Sequence, residues 1–171
     1  MKLASRIFKK DKYYITSKFG YRKAINTKAG VSSSFHNGCD YGTHCQKWAQ
    51  YAIENGIVIN CGKATDGALY VWVKYPRLNI KLLHYHLDSI CVKNNQRVDN
   101  KTILGYTGMT GKATGIHLHL SMKFLDSDKY IDPELYDYQE SLNNDAYIIG
   151  NYITLENMNI RKGAGINFAI K

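Results

Sequence analysis

The sequence lacks long apolar runs, Cys-x-x-Cys pairs and a balancing number of acidic residues. Charged or strongly polar residues interrupt every apolar segment well short of the roughly 20 residues that a membrane helix needs. The first six residues, Met-Lys-Leu-Ala-Ser-Arg, lead into lysines at 9, 10 and 12 without an apolar segment. We therefore expect neither a membrane span nor a secretory signal.

Four cysteines stand at positions 39, 45, 61 and 91, and their spacing disfavours a four-cysteine zinc knuckle. Disulfides form in oxidising compartments, and the sequence shows no export signal, so we expect reduced, small, buried thiols. Cys39 directly precedes Asp40. Strand alternation would turn the Cys39 side chain away from a ligand bound at Asp40.

The charge is strongly basic, with 23 Lys and Arg against 14 Asp and Glu and a formal net charge of +9. Such a chain is attracted to polyanions, which include nucleic acid, anionic lipid and acidic cell-wall polymers. The 14 tyrosines could stack on bases, but the basic residues are scattered and form no recognised nucleic-acid motif. We expect no nucleic-acid partner.

Hydrophobic residues make up 44% and charged residues 22% of the 171 positions, which predicts a folded domain with a proper core. Short β-branched or aromatic runs alternate with glycine and asparagine turns, as hairpins do. The predicted strands cover 14–16, 19–22, 57–59, 70–73, 80–87, 102–104 and 116–122. Only 46–53 and 133–142 have helical character. The fold class is therefore mainly β, with antiparallel sheets and few short helices.

Three histidine motifs carry the chemistry. They are His36-Asn37-Gly38-Cys39-Asp40, His84-Tyr85-His86 and His117-Leu118-His119. Residues two apart on a strand project to one face, so each later pair can enter a single pocket. A catalytic zinc needs three protein ligands and an open position. His36, Asp40 and one later histidine would supply such a set and leave two histidines for acid–base work.

Several motifs occur together in a fixed order. They are Thr16-Ser17-Lys18-Phe19-Gly20-Tyr21-Arg22, His36-x-x-x-Asp40, Tyr85-His86-Leu87, Gly105-Tyr106-Thr107-Gly108-x-Thr110-Gly111 and Gly115-Ile116-His117-Leu118-His119. Together they resemble the lysostaphin-type zinc metallopeptidases, which cut peptidoglycan cross-bridges. The resemblance spans about residues 14 to 125, and a set of spaced motifs is more specific than any one of them.

The resemblance implies a role for five residues. His36, Asp40 and His119 would bind Zn²⁺, and His86 and His117 would be the two catalytic histidines that do not bind the metal. All five positions carry the required residue. The implied activity is a zinc endopeptidase that cleaves cross-bridges or stem peptides of bacterial peptidoglycan, in a groove floored by the central sheet.

Two positions depart from the family pattern. Family members often have tyrosine where this chain has His84, so His84-x-His86 imitates the ligand motif. We assign the ligand to His119 because the preceding Thr110-Gly111 loop matches only there. His44 fits no motif position, and we expect it to be a polar loop residue.

The resemblance also predicts the groove walls. The Gly105 to Gly115 loop would form one wall, and its glycines at 105, 108, 111 and 115 would let the backbone approach an extended peptide closely. Tyr21, Phe35 and Tyr85 could line the groove, although core packing is their expected use.

The carboxyl-terminal part has a different character. We expect a catalytic domain over 1–130, a polar linker over 131–147, and at 148–171 the start of a bacterial SH3-like wall-binding module or an extra strand. Asn159-Ile160-Arg161-Lys162-Gly163 resembles the signature of such modules. A wall-binding segment in a chain without an export signal resembles the organisation of the phage endolysins, which stay cytoplasmic until release and act at the cell wall. Peptidoglycan and anionic wall polymers are the expected partners.

Two other functions are compatible with the residues. One is an inactive wall-binding or regulatory relative, against which the five intact positions argue. The other is a basic nucleic-acid binder with a structural zinc, which would show a closed four-ligand metal site and tight binding to DNA at physiological salt.

Overall fold

The computed structural model describes residues 2–24, 26–27, 30–136 and 138. Its helical elements are α1 (Leu3–Phe8) and two 3₁₀ turns, Pro76–Leu78 and Pro133–Leu135. The strands are β1 (Tyr14–Ser17), β2 (Gly20–Tyr21), β3 (Asn26–Thr27), β4 (Gly30–Val31), β5 (Phe35–His36), β6 (Cys39–Gly42), β7 (Ala49–Tyr51), β8 (Gly56–Lys63), β9 (Leu69–Tyr75), β10 (Ile80–Leu87), β11 (Ser89–Ile90), β12 (Arg97–Val98), β13 (Ile103–Tyr106), β14 (His117–Phe124) and β15 (Tyr130–Ile131).

An eight-stranded sheet forms the body of the domain, in the order β1-β6-β14-β10-β9-β8-β12, with β15 beside β14. Its strand pairs are antiparallel. A second sheet has the order β11-β13-β7, and β2 pairs with β5 and β3 with β4. The predicted fold class, mainly β with antiparallel sheets, is confirmed.

The two faces of the large sheet differ in burial. On β9, Val71, Val73 and Tyr75 are fully buried, whereas the alternate residues of the strand are partly exposed. The buried face packs into one core, to which α1 contributes four apolar residues at helical spacing: Leu3, Ala4, Ile7 and Phe8. This helix was not predicted, although the apolar spacing is present in the sequence.

The prediction of helical character at 46–53 is wrong. This segment contains β7, which pairs with β13, and its burial alternates with the period of a strand. The Thr107 hydroxyl accepts a hydrogen bond from the Trp48 amide at 2.7 Å and donates to the Trp48 carbonyl at 2.9 Å. These long-range bonds tie the segment to the second sheet and favour the extended backbone.

The described part of the predicted linker packs against the sheet. β15 extends from residue 130 into it and pairs with β14, and the side chains of Tyr136 and Tyr138 are buried. The predicted helix near 133–142 begins as a 3₁₀ turn, in which the Asp132 carboxylate accepts the Glu134 amide at 2.9 Å. The predicted SH3-like segment, 148–171, lies outside the described residues, and the domain division remains a prediction.

All four cysteines are free thiols, but only Cys39 is buried. Its thiol donates to the Asp132 carboxylate at 3.4 Å, on the side of the sheet opposite to Asp40, as strand alternation predicts. Burial raises the pKa of this thiol to about 12. In the described part of the chain, no helix has the length and apolar character needed to cross a membrane.

His84 is completely buried between the two sheets. Its Nδ1 hydrogen bonds to Oε1 of Gln50 at 2.8 Å, whereas Nε2 of His84 has no partner among the described residues. Burial lowers the pKa of His84 to about 3, because the charged imidazolium would lose its hydration.

We predict that His84 makes folding sensitive to mild acid. The unfolded chain protonates this side chain below its ordinary pKa of 6.5, whereas the folded protein does so only near 3. Its contribution to stability is therefore present above pH 6.5 and is lost as the pH falls, by about 1.4 kcal/mol per pH unit. Chemical denaturation of metal-free protein between pH 7 and 4.5 should show a flatter pH dependence for His84→Gln. The exposed His44→Gln should retain the wild-type slope, and equal slopes in all three proteins would contradict the prediction.

Candidate metal centre

Three side chains from three different strands converge on one point. Nε2 of His36 (β5), Oδ1 of Asp40 (β6) and Nδ1 of His119 (β14) lie 2.8 to 3.1 Å from one another. All three residues are buried. Asp40 lies directly opposite His119 in the antiparallel pair of β6 and β14, so the two side chains must share a face.

The outer nitrogens of the two histidines determine which atoms face the centre. Nδ1 of His36 donates to the Lys18 carbonyl at 2.7 Å, which leaves Nε2 unprotonated in the neutral ring. Nε2 of His119 bonds the Ser121 hydroxyl at 2.9 Å, and that hydroxyl donates to the Asn37 side chain at 3.4 Å. Ser121 therefore accepts from His119, and Nδ1 of His119 carries a lone pair.

Arg22 holds the other oxygen of Asp40. Its guanidinium lies 3.5 Å from Oδ2 and also donates to the Ser17 hydroxyl. Burial by itself would raise the pKa of Asp40, but the neighbouring His119 and His36 side chains outweigh burial and keep the pKa far below its ordinary range. Burial lowers the pKa of His119. Both side chains are thus in the ionisation state that a metal ligand needs.

The donor set fits a zinc ion. Three lone-pair atoms at contact distance, with no proton left to share between them, repel each other unless a cation lies among them. Two imidazoles and one carboxylate are a ligand set of catalytic zinc sites, which keep a fourth position for water. Within the described residues, these three form the group of histidine, cysteine and acidic side chains that could hold a metal.

The structure corrects the prediction that His84 and His86 share a face. The register of β10 shifts between Tyr85 and Leu87, and His86 has a positive φ of 64°. This β-bulge turns His86 to the same side as Tyr85, whereas His84 points into the core. The spacing of His84 and His86 therefore resembles that of His117 and His119 in the sequence, but the two pairs differ in the structure.

His86 and His117 face each other beside the ligand group, with ring centroids 5.0 Å apart. Nδ1 of His86 donates to the Thr110 carbonyl at 2.6 Å, and Nδ1 of His117 donates to the Gly115 carbonyl at 2.8 Å. Both rings therefore keep Nε2 free, and that of His117 lies 3.6 Å from Oδ1 of Asp40. Burial, followed by the proximity of His117, lowers the pKa of His86 to about 4.

The structure thus brings together the five residues that the motifs singled out, and it places His44 elsewhere. His44 is exposed, with Nε2 2.7 Å from the Lys12 carbonyl, as expected of a loop residue. Sequence reasoning missed the supporting roles of Arg22 and Ser121. Arg22 lies inside a quoted motif, and Ser121 follows His119 at the same-face spacing of two.

The glycines of the 105–115 segment have a different use from the predicted one. Gly105 belongs to β13, and a Cβ at Gly105 or Gly108 would collide with the backbone of Ser89 or Asp88. At Gly111, where φ is +72°, a Cβ would collide with Ala68. Three of the four glycines thus allow the segment to pack against the protein itself. Only at Gly115 does the added atom meet open space.

The three aromatic residues proposed for the groove or the core lie outside the buried core. Tyr21 is 81% exposed, and Phe35 and Tyr85 are partly exposed. The rings of Phe35 and Tyr21 meet edge to face at 5.1 Å. Tyr85 donates to the Asp66 carboxylate at 2.9 Å and lies opposite His119. Tyr85 is thus on the face that carries the metal centre.

Solved structures share this fold. A zinc containing peptidase from Vibrio cholerae superposes with a TM-score of 0.60 and 30% identity, over 74% of this chain and 38% of that one. The catalytic domain of lysostaphin from Staphylococcus simulans has a TM-score of 0.59 at 23% identity, over 71% of this chain and 89% of that one. The lysostaphin match shows the common fold.

Sequence relatives point to the same family. The peptidoglycan DD-endopeptidase ShyB of Vibrio cholerae is 32% identical over 114 residues, which cover 66% of this chain and 26% of ShyB. This chain spans about a quarter of the length of the curated relatives it matches. The model of peptidase family M23 matches residues 34–133. The chain therefore belongs to peptidase family M23, whose members are zinc metallopeptidases, as the motifs predicted.

Proposed function

We propose that this chain is a zinc endopeptidase that hydrolyses peptide bonds in bacterial peptidoglycan, with His36, Asp40 and His119 as metal ligands and His86 and His117 as catalytic residues. The supporting observation is the grouping of three converging ligand atoms with two histidines whose Nε2 atoms are free. The ShyB relative, named a peptidoglycan DD-endopeptidase, supports the substrate class.

A zinc ion bound to this group would supply Lewis acidity, which polarises a peptide carbonyl and lets water ionise near neutral pH. His117 and His86 can each accept a proton at Nε2, because their Nδ1 atoms are committed to backbone carbonyls. One would deprotonate the attacking water. The other, once protonated, would stabilise the oxyanion or protonate the leaving amine.

The alternatives have less support. A structural zinc in a nucleic-acid binder would have four protein ligands, whereas the group found among the described residues has three. An inactive relative would have no need to hold both free Nε2 atoms beside the ligand group. A substrate in peptidoglycan implies action at the cell wall, and the endolysin route, like binding to anionic wall polymers, remains a prediction.

We predict that His117→Ala retains zinc and loses hydrolysis. The side chain is outside the ligand group, so metal content measured by atomic absorption should stay at one ion per chain. Removing a proton acceptor should lower the rate by about 10²- to 10⁴-fold, measured as new amino termini released from purified peptidoglycan. His44→Ala, which changes an exposed histidine, is the matched control. Undiminished hydrolysis by His117→Ala would reject the assigned role.

Chelation should abolish hydrolysis reversibly. Removal of zinc with a chelator leaves three repelling lone pairs and no Lewis acid, so release of amino termini should fall to background and return on addition of Zn²⁺ but not Mg²⁺. His119→Ala should bind zinc poorly and stay inactive after the addition. A chelated protein with full activity would exclude the proposed chemistry.

We predict that Arg22 contributes to metal affinity through Asp40. Arg22→Met removes the partner of Oδ2 and lets the carboxylate turn away from the histidines, so the zinc dissociation constant should rise about 10- to 100-fold. Competition with a chromogenic chelator measures this constant. The exposed neighbour variant Lys23→Met should bind zinc like the wild type. Equal affinity in the two variants would show that Arg22 does not position the ligand.

A further inference from the structure

Three adjacent strands present side chains in a regular array on the face that carries the metal centre. Residues directly opposite in an antiparallel pair share a face, and so do residues two apart on one strand. The register of β9, β10 and β14 gives three rows: Tyr70, Tyr85 and His119; Trp72, Leu83 and Ser121; Lys74, Lys81 and Lys123. The metal ligand His119 thus lies in the first row, and three lysines form the third.

The third row, which we call the lysine row, has excess positive charge. Like charges directly opposite on neighbouring strands are destabilising. Asp128 is the one carboxylate beside them in the described part of the chain; it lies 3.8 Å from Nζ of Lys81 and 3.9 Å from Nζ of Lys123. Asp128 is fully exposed, and no ion pair forms at Lys74 among the described residues. One weak acidic partner leaves most of the charge uncompensated.

The lysines are held on the surface rather than free in solvent. The side chains of Lys81 and Lys123 are 20% and 15% exposed, and the Lys123 ammonium lies 4.3 Å from the centre of the Tyr130 ring. Such partly buried, pre-positioned ammonium groups lose less side-chain entropy on binding an anion than a free lysine does. The row therefore has the properties of a binding surface for anions.

The distance from the metal centre fits a peptide substrate. The first and third rows are four positions apart on each strand, which corresponds to about 13 Å. Tyr70 of the first row and Trp72 of the second row present partly exposed rings along β9, and Tyr70 stacks on Tyr85 with a centroid distance of 6.2 Å. An extended peptide covers the same span with about four residues.

We propose that the lysine row is a subsite for carboxylate groups of the substrate peptide, about four residues from the bond that is cleaved. The inference rests on the proposed function, because it places the scissile bond at the metal centre. Charge complementarity favours an acidic peptide, and the rings along β9 accommodate its apolar atoms. Recognition by this row would select peptides that keep free carboxylates over amidated ones.

Binding of metal-free protein to purified sacculi tests the subsite without hydrolysis. The sacculi are stripped of phosphate-containing polymers and used with free carboxylates or after chemical amidation, and bound protein is measured by co-sedimentation. The variant Lys74→Gln/Lys81→Gln should raise the dissociation constant about five- to tenfold. The control Lys93→Gln/Lys101→Gln changes net charge equally at exposed positions away from the array and should bind like the wild type. Amidation should weaken the wild type to the level of the first variant.

The opposite results would overturn the subsite. One such result is an equal loss of affinity in both double variants, and another is wild-type affinity that does not change when the sacculi are amidated. A third is that the wild type does not bind stripped sacculi at all, or binds only sacculi that retain phosphate polymers. Lys74→Gln alone breaks no ion pair among the described residues and replaces the double variant if that variant does not fold. The binding assay contains no metal and therefore does not depend on hydrolysis. If the protein binds in a carboxylate-dependent way but the zinc-loaded protein hydrolyses no peptidoglycan, the proposed function is rejected and the subsite is not.

Discussion

Mutual repulsion between three unprotonated acceptor atoms is the constraint on which the metal centre depends. Nε2 of His36, Nδ1 of His119 and Oδ1 of Asp40 lie within 3.1 Å of one another, and each outer atom of these side chains is held by a different partner. The partners are a backbone carbonyl, a serine hydroxyl and a guanidinium. They orient the rings and fix the tautomers, so a divalent cation finds its ligands already deprotonated and aimed.

Hydrogen bonds from one ring nitrogen also orient the two remaining histidines, His86 and His117. In these rings the bond is made by Nδ1, so Nε2 stays available for proton transfer. Thr110 and Gly115 supply backbone carbonyls from one loop, so the orientation of both rings depends on how this loop packs. Gly108 and Gly111 let it lie directly on Asp88 and Ala68. Loop packing and proton transfer are therefore coupled: a side chain at either glycine would move the carbonyls that hold the catalytic rings.

Period-two spacing predicted the sheet-rich fold because it is local information, whereas the grouping of His36, Asp40 and His119 was implied by the resemblance of the ordered motifs to the lysostaphin-type peptidases. The sequence did not predict the bulge at His86, since a register shift depends on how β10 pairs with both neighbours. Nor could it identify the carbonyl partners, because backbone groups carry no residue signature. The segment 46–53 was misread as helical for a related reason: its extended backbone is stabilised by Thr107, 59 positions from Trp48 in the sequence.

Strand register connects the two ends of the array. A slip of β10 by one residue would turn His84 and Leu82 to the open face and bury Lys81 and Tyr85. The Lys81 ammonium group would then enter the core without an acidic partner, and its desolvation would cost roughly several kcal/mol. The open face would gain the apolar side chain of Leu82. Lys81 therefore opposes the slipped register. By doing so, it also maintains the alignment of Tyr85 with His119, on which the position of the His86 bulge beside the metal centre depends.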